Sequence, residues 1–91
     1  MIKSFRHKGL EKYANDDVSK GLPPELLKRI SVRLQFLKAA ATPESMNKPG
    51  FNFHGLHGEP RRYSVHVNGP WCITFGWDGD GAIDIDLENY H

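Results

Sequence analysis

Three short runs near the end of the chain, "YSVHVN", "WCITFGW" and "AIDIDLE", constrain the fold more than anything else in the sequence. Each alternates apolar with polar residues, the period of a strand that buries one side. "NGP" separates the first two and "DGDG" the last two, and both are hairpin turn signals. Back-to-back strands with tight turns must run antiparallel, so these residues predict a three-stranded meander. Parity sorts the side chains. Tyr63, Val65 and Val67, then Trp71, Ile73, Phe75 and Trp77, then Ile83, Ile85 and Leu87, are expected on one apolar face. Ser64, His66, Asn68, Cys72, Thr74, Asp84, Asp86 and Tyr90 are expected on the other.

An apolar sheet face needs a cover. The strongest candidate is "PPELLKRISVRLQFLKAAAT". Pro24 suits a first helical turn and Glu25 suits the helix dipole. Leu27, Ile30, Leu34, Leu37 and Ala41 fall at helical spacing and form one apolar stripe. Lys28, Arg29, Arg33 and Lys38 are read as a solvated surface on other faces. "GLEKYANDD" reads as a weaker first helix, ended by "SKGLP", and residues 2–6 read as a short strand. "TPESMNKPGFNFHGLHGEP" reads as a long connector, and loops of that length are often functional. The order strand, helix, helix, meander implies an α+β fold, with helices packed on one face of an antiparallel sheet. Residues 1–91 make one domain. No helix is left to cover the polar face.

The net charge of +1 hides a split. Residues 1–70 carry all twelve Lys and Arg against six acids, a balance of +6, whereas the last 21 residues carry five acids and no Lys or Arg, a balance of −5. A basic surface set apart from an acidic edge can attract a polyanion. Cys72 is the only cysteine, which excludes an internal disulfide framework. The sequence shows neither a secretory leader nor a membrane span, so a cytoplasmic protein with no membrane association is expected.

Five histidines are many for a chain this size. His54 and His57 lie together in "FHGLHG", and His91 ends the chain after Tyr90. Two histidines in a glycine-containing loop raise the possibility of a metal, but no cysteine pair or HExxH pattern accompanies them, and no metal or cofactor is expected. "DGDGAIDIDLEN" is a poor calcium loop, because Asn89 stands where a bidentate Glu is required. The reading left is acid–base chemistry. Metal-free RNA cleavage needs a base for the 2′-hydroxyl, an acid for the departing 5′-oxygen, and cations for the crowded phosphorus centre. His54, His57 and His91 are candidates for acid and base, Arg61 and Arg62 for charge, and Tyr90 for stacking or hydrogen bonding.

The opening "MIKSFRHKGLE", the long second helix, "FHGLHG", "YSVHVNGPWCITFGW" and the terminal "ENYH" together resemble the HigB-type toxins of the RelE/ParE superfamily, part of bacterial toxin–antitoxin systems. The resemblance runs in order over nearly the whole chain. It implies a ribosome-dependent messenger-RNA endonuclease that works in the decoding site of the small subunit. It also implies a cognate HigA-like helix-turn-helix antitoxin, through which alone the pair would touch operator DNA. The catalytic assignments it carries over are His54, Tyr90 and His91, with His57 at the position of the family's loop lysine. Arg61, Arg62, His66 and Asn89 are the expected RNA-binding residues. There are departures. Cys72 stands where the strand pattern has an arginine, His66 replaces another cation, Asn89 replaces an acid, and the loop after Gly58 is one residue short. These leave as alternatives a weakened or inactive toxin that mainly binds its antitoxin, a gyrase-poisoning relative, and a metal-binding domain.

Overall fold

The computed structural model describes residues 1–90. Helix α1 spans Lys8–Asp16 and α2 spans Leu27–Ala39; strands β1 to β4 span His54–Leu56, Arg62–Asn68, Trp71–Asp78 and Gly81–Asn89. The four strands form one antiparallel sheet in the order β1-β2-β3-β4. The expected α+β architecture is therefore present, with one strand more than the meander. That strand, β1, comes from the "FHGL" part of the connector. Its alternation is too short to stand out in sequence, and it exists because β2 offers a free edge with which it pairs.

The helices start where local chemistry permits. The His7 ring accepts the Leu10 amide at 3.1 Å and so caps α1, while Asp17 ends it in a left-handed conformation. Pro24–Leu26 forms a 3₁₀ turn that leads into α2. Ile30, Leu34 and Leu37 from α2 and Leu10 from α1 pack on Val65, Val67, Ile73, Phe75, Ile85 and Leu87 of the sheet. Phe53, just before β1, stacks on Tyr63 of β2, which stacks on Phe75 of β3, with centroids 5.7 and 5.6 Å apart.

Four expectations need correction. Residues 2–6 do not form a continuous strand. They run parallel to β4 and make only two isolated bridges, Ile2 to Ala82 and Phe5 to Ile85; between them the Asp84 amide bonds the Ser4 side chain rather than a backbone carbonyl. The apolar stripe closes with buried Ala40 rather than exposed Ala41, since α2 ends at Ala39 and the chain turns there. Arg33 is buried, not solvated. Its Nε donates to the His66 carbonyl at 2.8 Å, its Nη1 to the Arg29 carbonyl at 3.2 Å, and its guanidinium lies 4.4 Å from the Phe51 ring centroid. Finally, Ile83 leaves the apolar set. Thr74 pairs with Asp86 but Gly76 pairs with Ile83, so β4 spends one residue more than β3 over that interval. Asp84, at φ 49°, absorbs the extra residue, and its amide donates to Ser4 Oγ at 2.9 Å. Side-chain parity flips there. Ala82 goes under the helices and Ile83 to the opposite face.

Candidate active site

The sheet face away from the helices is organised in rows, because paired residues of antiparallel strands share a face. The middle row is His54, Ser64, Thr74 and Asp86. On one side lies His66, Cys72 and Glu88; on the other lies Leu56, Arg62, Gly76 and Ile83. Ser64 and Thr74, expected as exposed polar residues, are fully buried. They are small and sit between longer neighbours, one of which, Arg62, bonds across Thr74.

His54 stands exposed at the outer edge of this face. Its Nδ1 is 3.0 Å from the Asn52 carbonyl. A carbonyl can only accept, so in the neutral ring Nδ1 carries the proton and Nε2 keeps a free lone pair. His66 is oriented the other way round. Its Nε2 is 3.0 Å from the Gly69 carbonyl and so carries the proton, leaving Nδ1 as the acceptor. Its backbone is clamped from two sides, by the Phe51 carbonyl on its amide and by Arg33 on its carbonyl.

Tyr90 continues past β4, with its amide donating to the Pro70 carbonyl at 2.7 Å. Its side chain reaches back to a cleft of about 460 Å³ that Arg62 and His57 also line. Burial, and then the charges of Glu88 and Cys72, push the Tyr90 phenol above its ordinary value, against the pull of Arg62. The phenol is thus a proton donor throughout the neutral range. Arg62 binds Thr74 Oγ1 at 3.0 Å and the Asp84 carbonyl at 2.9 Å through Nη2, and Thr74 Oγ1 donates to Glu88. One hydroxyl therefore links a guanidinium to a carboxylate. Burial and the neighbouring Arg6 lower the Arg62 value, while Glu88, Asp84 and Asp86 raise it.

Not every expected site residue joins this face. Arg61 lines the cleft beside Arg62, but its guanidinium lies over the Tyr63 ring at 5.9 Å and against Gly55, towards the helix side. Asn89 pairs with Trp71, in phase with Leu87, so it lies across the strand from Tyr90. His57 is exposed just beyond β1, at the rim of the cleft. His91 lies outside the described residues. Among the described residues no cluster of three His, Cys, Asp or Glu is placed to hold a metal. Sequence reasoning missed Glu88, Thr74 and Arg6 as site residues. Glu88 was findable, being in phase with Asp86 and Tyr90; the Thr74 link and the approach of Arg6 depend on strand neighbours.

Residues 3–91 match the family model for the RelE-like toxin HigB of type II toxin–antitoxin systems. The chain belongs to the HigB-like toxin family. It is similar to the endoribonuclease HigB of Proteus vulgaris, with 36% identity over 92 residues covering 100% of both chains. A type II toxin family implies an antitoxin partner. On the HigB-like frame, the departures at 66 and 72 fall together. His66 and Cys72 are register partners on the open face, so the two cations expected from the family pattern would have stood side by side there.

Proposed function

We propose that this HigB-like toxin is an endoribonuclease that cleaves messenger RNA on the ribosome by acid–base chemistry of its own side chains. The observation that carries the reading is the full-length likeness to a protein named as an endoribonuclease. The open sheet face supports it chemically, because it presents a free imidazole nitrogen, a protonated phenol and a guanidinium. His54, through Nε2, is the base that takes the 2′-hydroxyl proton. The 2′-oxygen then attacks phosphorus and the bond to the 5′-oxygen breaks. Tyr90 is suited to donate rather than accept, so it assists the departing oxygen; His91, by the family pattern of a terminal Tyr-His, is the candidate acid beside it. Arg62 neutralises charge at phosphorus, and His57 stands where the family's loop lysine would add a second cation.

In this reading the substrate lies in the decoding site of the small subunit, in the cytoplasm. A HigA-like helix-turn-helix antitoxin neutralises the toxin and carries the pair to its operator. Induction in bacteria with and without the antitoxin, followed by mapping of 5′ ends on cellular messages, tests the proposal. Cuts inside translated codons, absent with antitoxin and lost in His54→Ala, are expected. Growth arrest with intact messages would refute it.

A further inference from the structure

The outer side of α2 carries a feature that RNA cleavage does not use. Arg29, Val32 and Phe36 follow one another at i, i+3 and i+7, so they share a row that points away from the sheet and from the open face beyond it. Val32 and Phe36 are 38% and 40% exposed, whereas Ile30, Leu34 and Leu37 of the same helix are buried. Phe36 is held in place. Its ring meets Phe51 edge-on, with centroids 5.4 Å apart, and the Lys48 ammonium stands 5.6 Å from its centroid. Beside the row, a hollow of about 240 Å³ between the two helices is lined by Tyr13, Leu34 and Gln35, with Asp17 and Lys38 of opposite charge.

The charge around the row is one-sided. Lys28 and Arg29 are the second and third residues of α2, where the helix dipole disfavours cations, and that turn holds no acid. Burial first, and Arg29 second, lower the Arg33 value, so Arg29 also burdens its buried neighbour. Glu25 and Glu44, the nearest acids along the chain, form no ion pair within 4.0 Å with Lys28, Arg29 or Lys48. No acid among the described residues offsets these placements; carboxylates from a partner would.

We propose that this row is a docking surface for the antitoxin, with an apolar side chain of the partner seated on Val32 and Phe36 and its acidic residues paired with Lys28, Arg29 and Lys48. An apolar centre inside a charged rim is the anatomy of a protein interface. A phosphate backbone would use the cations but gain nothing from Val32, and a base stacked on Phe36 would compete with Lys48. An acidic, apolar segment uses every group. A stable interface takes about 800 Å² from each partner, so the footprint extends from the row over the adjoining hollow. The inference rests on the antitoxin part of the proposed function and adds the surface and the chemistry of the partner's segment.

The test uses the full chain and the purified cognate antitoxin, with affinity from calorimetry and the contact mapped by amide NMR. The antitoxin should shift Val32, Gln35 and Phe36 more than Ser64 and Cys72 of the open face. Arg29→Glu combined with Lys48→Glu should weaken binding at least tenfold and reduce its dependence on salt. Both side chains are exposed, and losing Arg29 relieves Arg33, so the fold should hold. Lys20→Glu, an exposed reversal outside the row, should leave the affinity unaltered. Phe36→Ala should weaken binding roughly thirtyfold, read in a chain that keeps its melting temperature. Parental affinity in the double reversal, or shifts centred on Ser64 and Cys72, would overturn the inference and leave the antitoxin reading standing. A double reversal that loses a single-stranded RNA oligonucleotide but keeps the antitoxin would assign the row to nucleic acid and overturn it as well. No complex with the parental chain would refute the antitoxin reading, and the inference with it.

Discussion

Thr74 is the residue whose replacement most directly tests the architecture of the open face. It is fully buried and accepts from Arg62 while donating to Glu88. Thr74→Val keeps the branched shape and removes only the hydroxyl. Two hydrogen bonds to charged groups disappear, and each such bond is worth about 1.5–3 kcal/mol. The losses do not simply add. Arg62 retains the Asp84 carbonyl, and Arg62 and Glu88 are both half-buried, so water recovers part of the rest. A net loss of about 1.5–3 kcal/mol follows. With an m value of about 1 kcal/mol/M, the urea midpoint should fall by roughly 1.5–3 M. Ser64→Ala is the internal control. Ser64 is just as buried, but its Oγ has no hydrogen-bond partner among the described residues, so its removal should be neutral or slightly stabilising. Glu88→Ala combined with Thr74→Val should cost less than the two changes added, because each removes the same hydroxyl–carboxylate link. An unchanged midpoint in Thr74→Val, or additive single and double changes, would mean that Arg62 and Glu88 are solvated separately and the hydroxyl link contributes nothing.

Other outcomes follow from the same geometry. The Tyr90 phenol is raised by burial first and Glu88 second, so it favours its protonated form in the folded state. The stability this contributes is present below the unfolded value near 10 and is lost as pH rises through the higher folded value. Phenolate absorbance should show a late-titrating component that Tyr90→Phe removes and Glu88→Gln moves downward; no response to Glu88→Gln refutes the assignment. Cys72 is half-buried on the open face between His66 and Glu88. Cys72→Arg should keep the melting temperature within a few degrees and raise message cleavage, by up to about 10² if the new guanidinium reaches phosphorus rather than Glu88. A folded variant with unchanged cleavage would rule that out. Arg33→Met should preserve packing but leave the His66 carbonyl without its donor, costing about 1–3 kcal/mol in denaturation and shifting the His66 ring resonances by NMR; a ring that does not respond would show that the clamp does not orient it.

The alternation in β2, β3 and β4 and the helical spacing of Ile30, Leu34 and Leu37 are legible without coordinates, because period and turn chemistry are properties of neighbours along the chain. They were enough for the α+β class, and they put Ser64, His66, Cys72, Thr74 and Tyr90 on the face away from the helices. The order of motifs, down to the terminal Tyr-His, was enough for the family. Other features depend on partners far away in sequence. β1 is a strand only because β2 has a free edge, and that pairing alone brings His54 into line with Ser64, Thr74 and Asp86. Ile83 changes face because β3 and β4 disagree by one residue around Asp84, a mismatch that neither strand shows alone. Arg33 looks like a solvated helix charge until Phe51 and the His66 carbonyl enclose it. Arg61 and Arg62 are adjacent in sequence and indistinguishable in chemistry, yet the pleat sends one towards the helices and the other across Thr74. Composition and periodicity determine which face each strand can bury. Only strand pairing decides which side chains meet on the face left open, because hydrogen-bond register is set between strands and not within them.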